Sequence, residues 1–263
     1  MPRRGKEEKP GKAAKPGKVF LVGAGPGSPD LLTVKARRVI GEAEVVLYDQ
    51  LAGGVRELLP AEAERIDCGK SGSRHTLEQE EIEGLMVDRA LAGKKVVRLK
   101  GGDPFLFGRG GEELEALRAA GVPVEIVPGV TSAIAVPGCV GIPVTHRDHA
   151  SELVILTGHE EPGKAESSLD LDLLARFRGT IVILMGVKNL ASIASGLVGR
   201  GKDPATPVAI IEKGLAPGQR VTAGPLGEIG GIARSAKVKP PAVIVIGGVV
   251  GLYDEEELCG AKR

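Results

Sequence analysis

At 263 residues the chain is long enough for one large domain or two modest ones with ample core. A formal net charge of +1 gives no basic field for a polyanion, and 2% aromatic residues with no Trp supply no stacking platforms, so no nucleic-acid partner is expected. No apolar run reaches the roughly eighteen residues of a membrane span, so no membrane partner is expected either.

The opening "MPRRGKEEKPGKAAKPGK" lacks an apolar segment of the secretory kind and reads as a disordered basic tail over residues 1–18. Such a tail is a solubilising extension or a contact for RNA or an acidic partner. Val19 to Val22 is a short apolar strand followed by the turn "GAGPGSPD". Ser28 and Pro29 stand as an N-cap and first helical residue, and Leu32, Ala36, Val39 and Ile40 follow at helical spacing. "AEVVLYD" is the next strand and ends at Asp49; the turn "GKSGSRH" comes after Arg65 to Cys68. A helix with an acidic entry is predicted from Leu77 to about Leu91, a strand from Val96 to Leu99, and a helix from Glu112 to Ala120 closed by Gly121. "PVEIVPGV" is another strand, running into the small residues "TSAIAV". After "GIPVTHRDHA" the pattern restarts, with strands at Leu153–Thr157, Thr180–Met185, Pro207–Ile211 and Ala242–Ile246 and helices at Leu171–Phe177 and Leu190–Val198. The alternation predicts two α/β domains, 19–147 and 148–252, each a largely parallel or mixed sheet flanked by helices, with a short tail over 253–263. Ligands of such sheets lie beyond the carboxyl ends of the strands, where Gly23 to Gly27, Asp49, Lys70, Gly101 to Asp103 and Thr131 all fall.

Three familiar motifs fail on their own requirements. "GAGPGS" has Ser28 where the dinucleotide fingerprint needs its third glycine, and Pro26 removes a backbone donor from the turn. "GKS" at Gly69–Ser71 has Glu64 in place of the glycine that opens a phosphate-binding loop. "HRD" at His146–Asp148 is followed by Leu153 where a kinase needs asparagine. The four histidines form no recognised metal spacing, which leaves open only a composite metal site, and Cys68, Cys139 and Cys259 make neither a CxxC pair nor a disulfide framework, so a reducing, cytoplasmic setting is expected.

The stretch "VVRLKGGDPFLFGRGGEE", Val96 to Glu113, ends a strand in two glycines and an aspartate. Asp103 repels a pyrophosphate and Pro104 offers no donor, so a neutral or cationic ligand such as S-adenosylmethionine suits this turn better. The residues alone leave a second reading, a tight Gly-Gly-Asp-Pro loop with no ligand.

That stretch, with "VFLVGAGPGSPDLLTVKA", "VVLYD", "CGK", "VPGVTSAIAVPGCVGIPVTHR", "LTGHE" and "MGVKNL", resembles in order and spacing the tetrapyrrole methylase family, and within it the enzymes that methylate uroporphyrinogen III. The resemblance runs from about Val19 to Leu252. It implies two α/β domains with S-adenosylmethionine in the cleft between them, usually a homodimer, and S-adenosylhomocysteine as co-product. The implied reaction adds methyl groups at C-2 and C-7 of uroporphyrinogen III and gives precorrin-2, a branch point toward sirohaem and cobalamin, without a metal. Carried over by position, Pro26, Gly101, Gly102, Asp103, Leu106, Thr131, Ser132, Met185 and Gly214 are the cofactor contacts, and Asp49 and Lys70 the proton acceptor and donor. Asp49 also suits a helix N-cap, and Lys70 a solvated loop lysine. Because the substrate carries eight carboxylates, basic residues are expected to rim the cleft: Arg74, Arg98, Arg109 and Arg147 are candidates, Arg109 foremost. The chain departs from the family at Leu184, usually tyrosine, at Gln50, usually basic, and at "LAGG" over Leu51–Gly54.

Overall fold

The computed structural model describes residues 15–69, 77–159 and 169–254. The first sheet contains β1 (Lys18–Gly23), β2 (Val45–Tyr48), β3 (Glu64–Asp67), β4 (Lys95–Lys100) and β5 (Val124–Val127) in the order β3-β2-β4-β1-β5. Its described pairings are parallel throughout. Strands buried on both faces read as unbroken apolar runs, and "KVFLVG" divides accordingly. Phe20 and Val22 enter one core with Ala36, Val39 and Ile40 of α1 (Val34–Gly41), while Val19 and Leu21 enter a second core with Ile82, Met86 and Leu117. The last three come from α2 (Gln79–Leu91) and α3 (Gly110–Ala119). Each such fully buried aliphatic side chain contributes roughly 1.5–3 kcal/mol.

Element ends differ from expectation for local reasons. Ser28 precedes only a short 3-10 helix, Pro29–Leu31, and Thr33 caps α1 by accepting from the Ala36 N–H at 3.1 Å. Helix α2 starts at Gln79 because Glu78 and Glu81 form a capping box. Helix α3 starts two residues early because Arg109, at φ 57°, holds its N-cap position in the left-handed conformation.

The second sheet is mixed, as β6 (Leu153–Thr157), β7 (Thr180–Leu184), β8 (Pro207–Glu212), β9 (Arg220–Pro225) and β10 (Ala242–Ile246) in the order β6-β7-β10-β8-β9. Only β6 and β7 pair in parallel; β10 and β8 run against their neighbours. One face packs on α5 (Leu171–Arg176), α6 (Leu190–Gly199) and α7 (Ile229–Ser235). The other face packs on α4 (Ser132–Cys139), whose Ala133 and Val136 join Val182, Ala209, Ile211 and Val243 in one core. Helix α4 precedes residue 147 in the chain and nevertheless belongs to the packing of the second sheet. Neither α4 nor β9 nor α7 is expected from periodicity.

Candidate functional site

A parallel sheet delivers all its strands' carboxyl ends to one edge, and there the turns after β1, β4 and β5 are fused. Ala24 donates its N–H to the Lys100 carbonyl at 2.7 Å, and Gly25 and Gly102 exchange N–H···O=C bonds at 3.2 and 2.7 Å. Glycine is obligatory at the crossing: a side chain on Gly23 stands 2.5 Å from the Gly129 Cα and 2.6 Å from the Gly102 oxygen, and one on Gly129 2.7 Å from the Gly23 Cα. Gly102 takes φ 67°, a conformation natural to glycine. Asp103 locks the joint. Its Oδ1 accepts from the Phe105 N–H at 2.9 Å and its Oδ2 from the Gly129 N–H at 3.1 Å. The carboxylate that distinguishes this turn from a phosphate loop is therefore engaged by the protein's own backbone.

The edge continues onto α4. Thr131 caps the helix, its Oγ1 accepting from the Ala133 N–H at 3.2 Å, and a side chain on Gly102 lies 3.8 Å from the Ser132 nitrogen and 3.9 Å from the Thr131 Cα. One turn on, Val136 fills the space at Gly214, whose added Cβ meets its Cγ2 at 2.7 Å. Gly214 is flanked by two left-handed residues, Lys213 and Leu215. Leu106 packs against the same core as Ala133 and Val136, so the loop after β4 is seated on the second sheet. Met185, also left-handed at φ 56°, is 52% exposed just beyond β7. Pro26 is half-buried in the first turn. The structure thus joins Pro26, Gly101, Gly102, Asp103, Leu106, Thr131, Ser132 and Gly214 through contact or shared turns, with Met185 at the end of β7, separated by β10 from β8, the strand that leads to Gly214.

Asp49 follows β2 and occupies the N-cap position of the 3-10 helix Gln50–Leu58, yet makes no capping bond. Its Oδ1 instead receives Nη2 of Arg98 at 2.8 Å. Arg98 is only 2% exposed, which removes it from the basic rim. Its Nε donates to Glu113 Oε1 at 2.9 Å, and Lys100 Nζ donates to the same oxygen at 2.8 Å. Glu113 is completely buried. Burial opposes the charge of Arg98, but Asp49 and Glu113 outweigh it and raise its pKa above the usual value. Burial and then the adjacent guanidinium push the Lys100 ammonium down, against the pull of Glu113. Beside them, burial raises the Cys68 thiol to about 11, which rules it out as a thiolate nucleophile near neutrality.

Lys70 and Arg74 lie outside the described residues. Arg109 is exposed and pairs with Glu112 through Nε at 3.0 Å, in a recess lined by Gln79, Glu80, Glu83, Glu112 and Glu115. Among the described residues no group of three His, Cys, Asp or Glu side chains is placed to hold a metal ion, and no helix is long and apolar enough to cross a membrane. Sequence reasoning passed over Gly129, Lys100 and Glu113. A signal existed for the last two: cations at alternate positions of a doubly buried strand share a face and require a buried carboxylate.

The sequence profile of the tetrapyrrole (corrin/porphyrin) methylases matches residues 18–230. The chain is 56% identical over 239 residues to the S-adenosyl-L-methionine-dependent uroporphyrinogen III methyltransferase of Methanosarcina barkeri, covering 90% of this chain and 94% of that protein. It is 49% identical over 244 residues to the uroporphyrinogen-III C-methyltransferase of Methanocaldococcus jannaschii, covering 91% and 99%. The crystal structure of uroporphyrin-III C-methyl transferase from Thermus thermophilus complexed with S-adenyl homocysteine matches with a TM-score of 0.77 at 44% identity, covering 90% of this chain and 100% of that one.

Proposed function

We propose, from the premise that this chain belongs to the tetrapyrrole (corrin/porphyrin) methylases, that it methylates uroporphyrinogen III at C-2 and C-7 with S-adenosylmethionine as methyl donor, giving precorrin-2 and S-adenosylhomocysteine. The observation that carries this reading is the glycine-lined edge, bearing the Asp103 carboxylate and no cation, where the turns after β1 and β4 meet the start of α4. A side chain on Gly27 meets nothing within 4 Å, and one on Gly102 nothing nearer than 3.8 Å, so backbone is open to a ligand at both. Pro26, Gly101, Gly102, Asp103, Leu106, Thr131, Ser132, Met185 and Gly214 include no basic side chain. Backbone amides, hydroxyls and a thioether suit an adenosine and a zwitterionic amino acid, and the Asp103 carboxylate among them disfavours a phosphate. The identity to two proteins named for uroporphyrinogen III methylation supports the acceptor.

When bound, S-adenosylmethionine supplies a sulfonium-activated methyl group, so the chain's own contribution is chiefly orientation. In our reading Asp49 faces the acceptor, steadies the positive charge that develops on the macrocycle and receives a bridge proton. Lys70 is the proposed donor by its place in the sequence. Arg109 is the proposed clamp on a substrate carboxylate, exchanging its bond to Glu112 for one to the ligand. Its left-handed backbone, with that of Phe107, marks a strained loop of the kind found at ligand clamps. A homodimer, which rests on the family resemblance, and a cytoplasmic setting, which rests on the cysteine pattern, complete the proposal; sedimentation of the purified chain checks the first.

The deciding experiment is an anaerobic assay with S-adenosylmethionine and enzymatically generated uroporphyrinogen III, following product mass and absorption. A gain of two methyl groups is expected. No gain, with S-adenosylhomocysteine still bound, would send the search to another acceptor.

A further inference from the structure

Beneath the proposed site lies a four-membered ionic cluster whose members differ sharply in exposure. The side chains of Arg98, Lys100 and Glu113 are 3%, 4% and 0% exposed, whereas that of Asp49 is 32% exposed. Two cations face two carboxylates, so the formal charges cancel. Holding such groups in a protein interior costs several kcal/mol per ion, and well-packed apolar residues are often as stabilising or more so. Packing alone therefore does not account for them. Their arrangement has a direction. Glu113, anchored in the first turn of α3, holds Nε of Arg98, and Nη2 on the same rigid guanidinium plane holds Oδ1 of Asp49. Lys100 binds the same Glu113 oxygen, and its Cε lies beneath Gly108 in the loop after β4, 3.3 Å from where a side chain on that glycine begins. Asp49 meets the helix it precedes through its backbone carbonyl, which accepts from the Ala52 N–H at 3.1 Å and from Arg56 Nη2 at 3.2 Å; its carboxylate makes no capping bond and is aimed from below, by Arg98.

We propose that Glu113 and Arg98 form a positioning unit that fixes the Asp49 carboxylate toward the acceptor, with Lys100 balancing its charge. This rests on the reading of Asp49 given above. A lysine at position 98 keeps the charge but lacks the planar fork, and cannot span both carboxylates as arginine does. Misplacement by about 1 Å at a reacting centre lowers turnover on the order of 100-fold.

The test is a double-mutant cycle on the whole chain, measuring kcat and KM for uroporphyrinogen III and, by calorimetry, the affinity for S-adenosylhomocysteine. Glu113→Gln and Arg98→Lys are each expected to lower kcat about 10- to 100-fold while KM and S-adenosylhomocysteine affinity stay near the parent values. In an Asp49→Asn background the same substitutions are expected to change kcat no more than about 2-fold. A full second fall in that background, or a parallel loss of S-adenosylhomocysteine affinity, overturns the positioning role while leaving Asp49's own role intact. Unchanged turnover in Asp49→Asn alone overturns the reading of Asp49, and the positioning role with it. Arg98→Lys keeps the buried charge count and carries the test where Glu113→Gln does not fold.

Discussion

The two carboxylate oxygens of Asp103 each accept from a backbone N–H, one in its own turn and one at Gly129 beyond β5. An asparagine presents an NH2 where one of those N–H groups donates, and leaving a half-buried donor unpaired costs about 1–3 kcal/mol. Asp103→Asn is therefore expected to lower the melting temperature by several degrees and to weaken S-adenosylhomocysteine binding together, since the joint it loosens is the proposed cofactor edge. Calorimetric affinity equal to the parent's would contradict this. Arg109 stands in the opposite situation, exposed and, among the described residues, paired only with Glu112 on the helix it precedes. Exposed pairs of this kind contribute at most about 1 kcal/mol, so Arg109→Ala is expected to leave stability and S-adenosylhomocysteine affinity unchanged. Its effect belongs on the substrate: a KM for uroporphyrinogen III raised several-fold, with an unchanged KM contradicting the clamp. At this scale the sequence reveals that Gly101–Gly102–Asp103 turns the chain at the end of β4. It conceals where the carboxylate points, because that depends on Gly129, in a turn reached only after α3 and β5.

Strands with dense apolar runs and helices with clear caps are legible as elements, which is why most of the first sheet follows from the sequence. The misses share a cause. Helix α4, "SAIAVPGC", contains an internal proline and is apolar on almost every side, so no helical period stands out. Strand β9, "RVTAGP", has few apolar residues because it is an edge strand paired on one side only. Edge position also explains the ion pairs of β5, where Glu125 sits between Lys18 of β1 and Lys35 of α1. Hydrogen bonds first from Lys18 and then from Lys35 lower the Glu125 carboxyl from its ordinary 4.5 to about 2. Its folded pKa lies below its unfolded value, so these bonds stabilise the fold above pH 4.5 and are lost as pH falls toward 2. The melting-temperature gap between the parent and Glu125→Gln is expected to be widest above pH 5 or so and to close through that window. The site is solvent-facing, so salt should narrow the gap as well. A gap independent of pH would place the effect of the substitution in packing instead.

Two sheets with separate cores meet through few elements, and α4 is the principal one: it begins at the Gly102 turn of the first sheet and lies on the second. The alternation of apolar runs predicts two units. It cannot predict that α4 crosses between them, because the helix is followed in the chain by "GIPVTHRDHA" and only then by the strands on which it packs. A ligand held by Gly102, Thr131, Ser132 and Gly214 touches residues rooted in both sheets, and ligation that favours the folded state raises its stability by mass action. At one hundred times its dissociation constant a ligand adds about 2.7 kcal/mol, and for a chain of this size each kcal/mol moves the midpoint about 2–4 °C. S-Adenosylhomocysteine is thus expected to raise the melting temperature by roughly 5–10 °C at that saturation. In Gly214→Ala the new methyl is driven against the side chain of Val136, and overpacking of this kind costs about 1–3 kcal/mol. The displacement acts on α4, one turn from Thr131 and Ser132, so the variant should melt earlier and, at the same ligand concentration, gain a smaller increment from S-adenosylhomocysteine. Scanning fluorimetry across a ligand titration separates the two effects. A lower starting temperature with the full ligand increment would mean that α4 supports the second sheet alone and carries no part of the proposed cofactor edge.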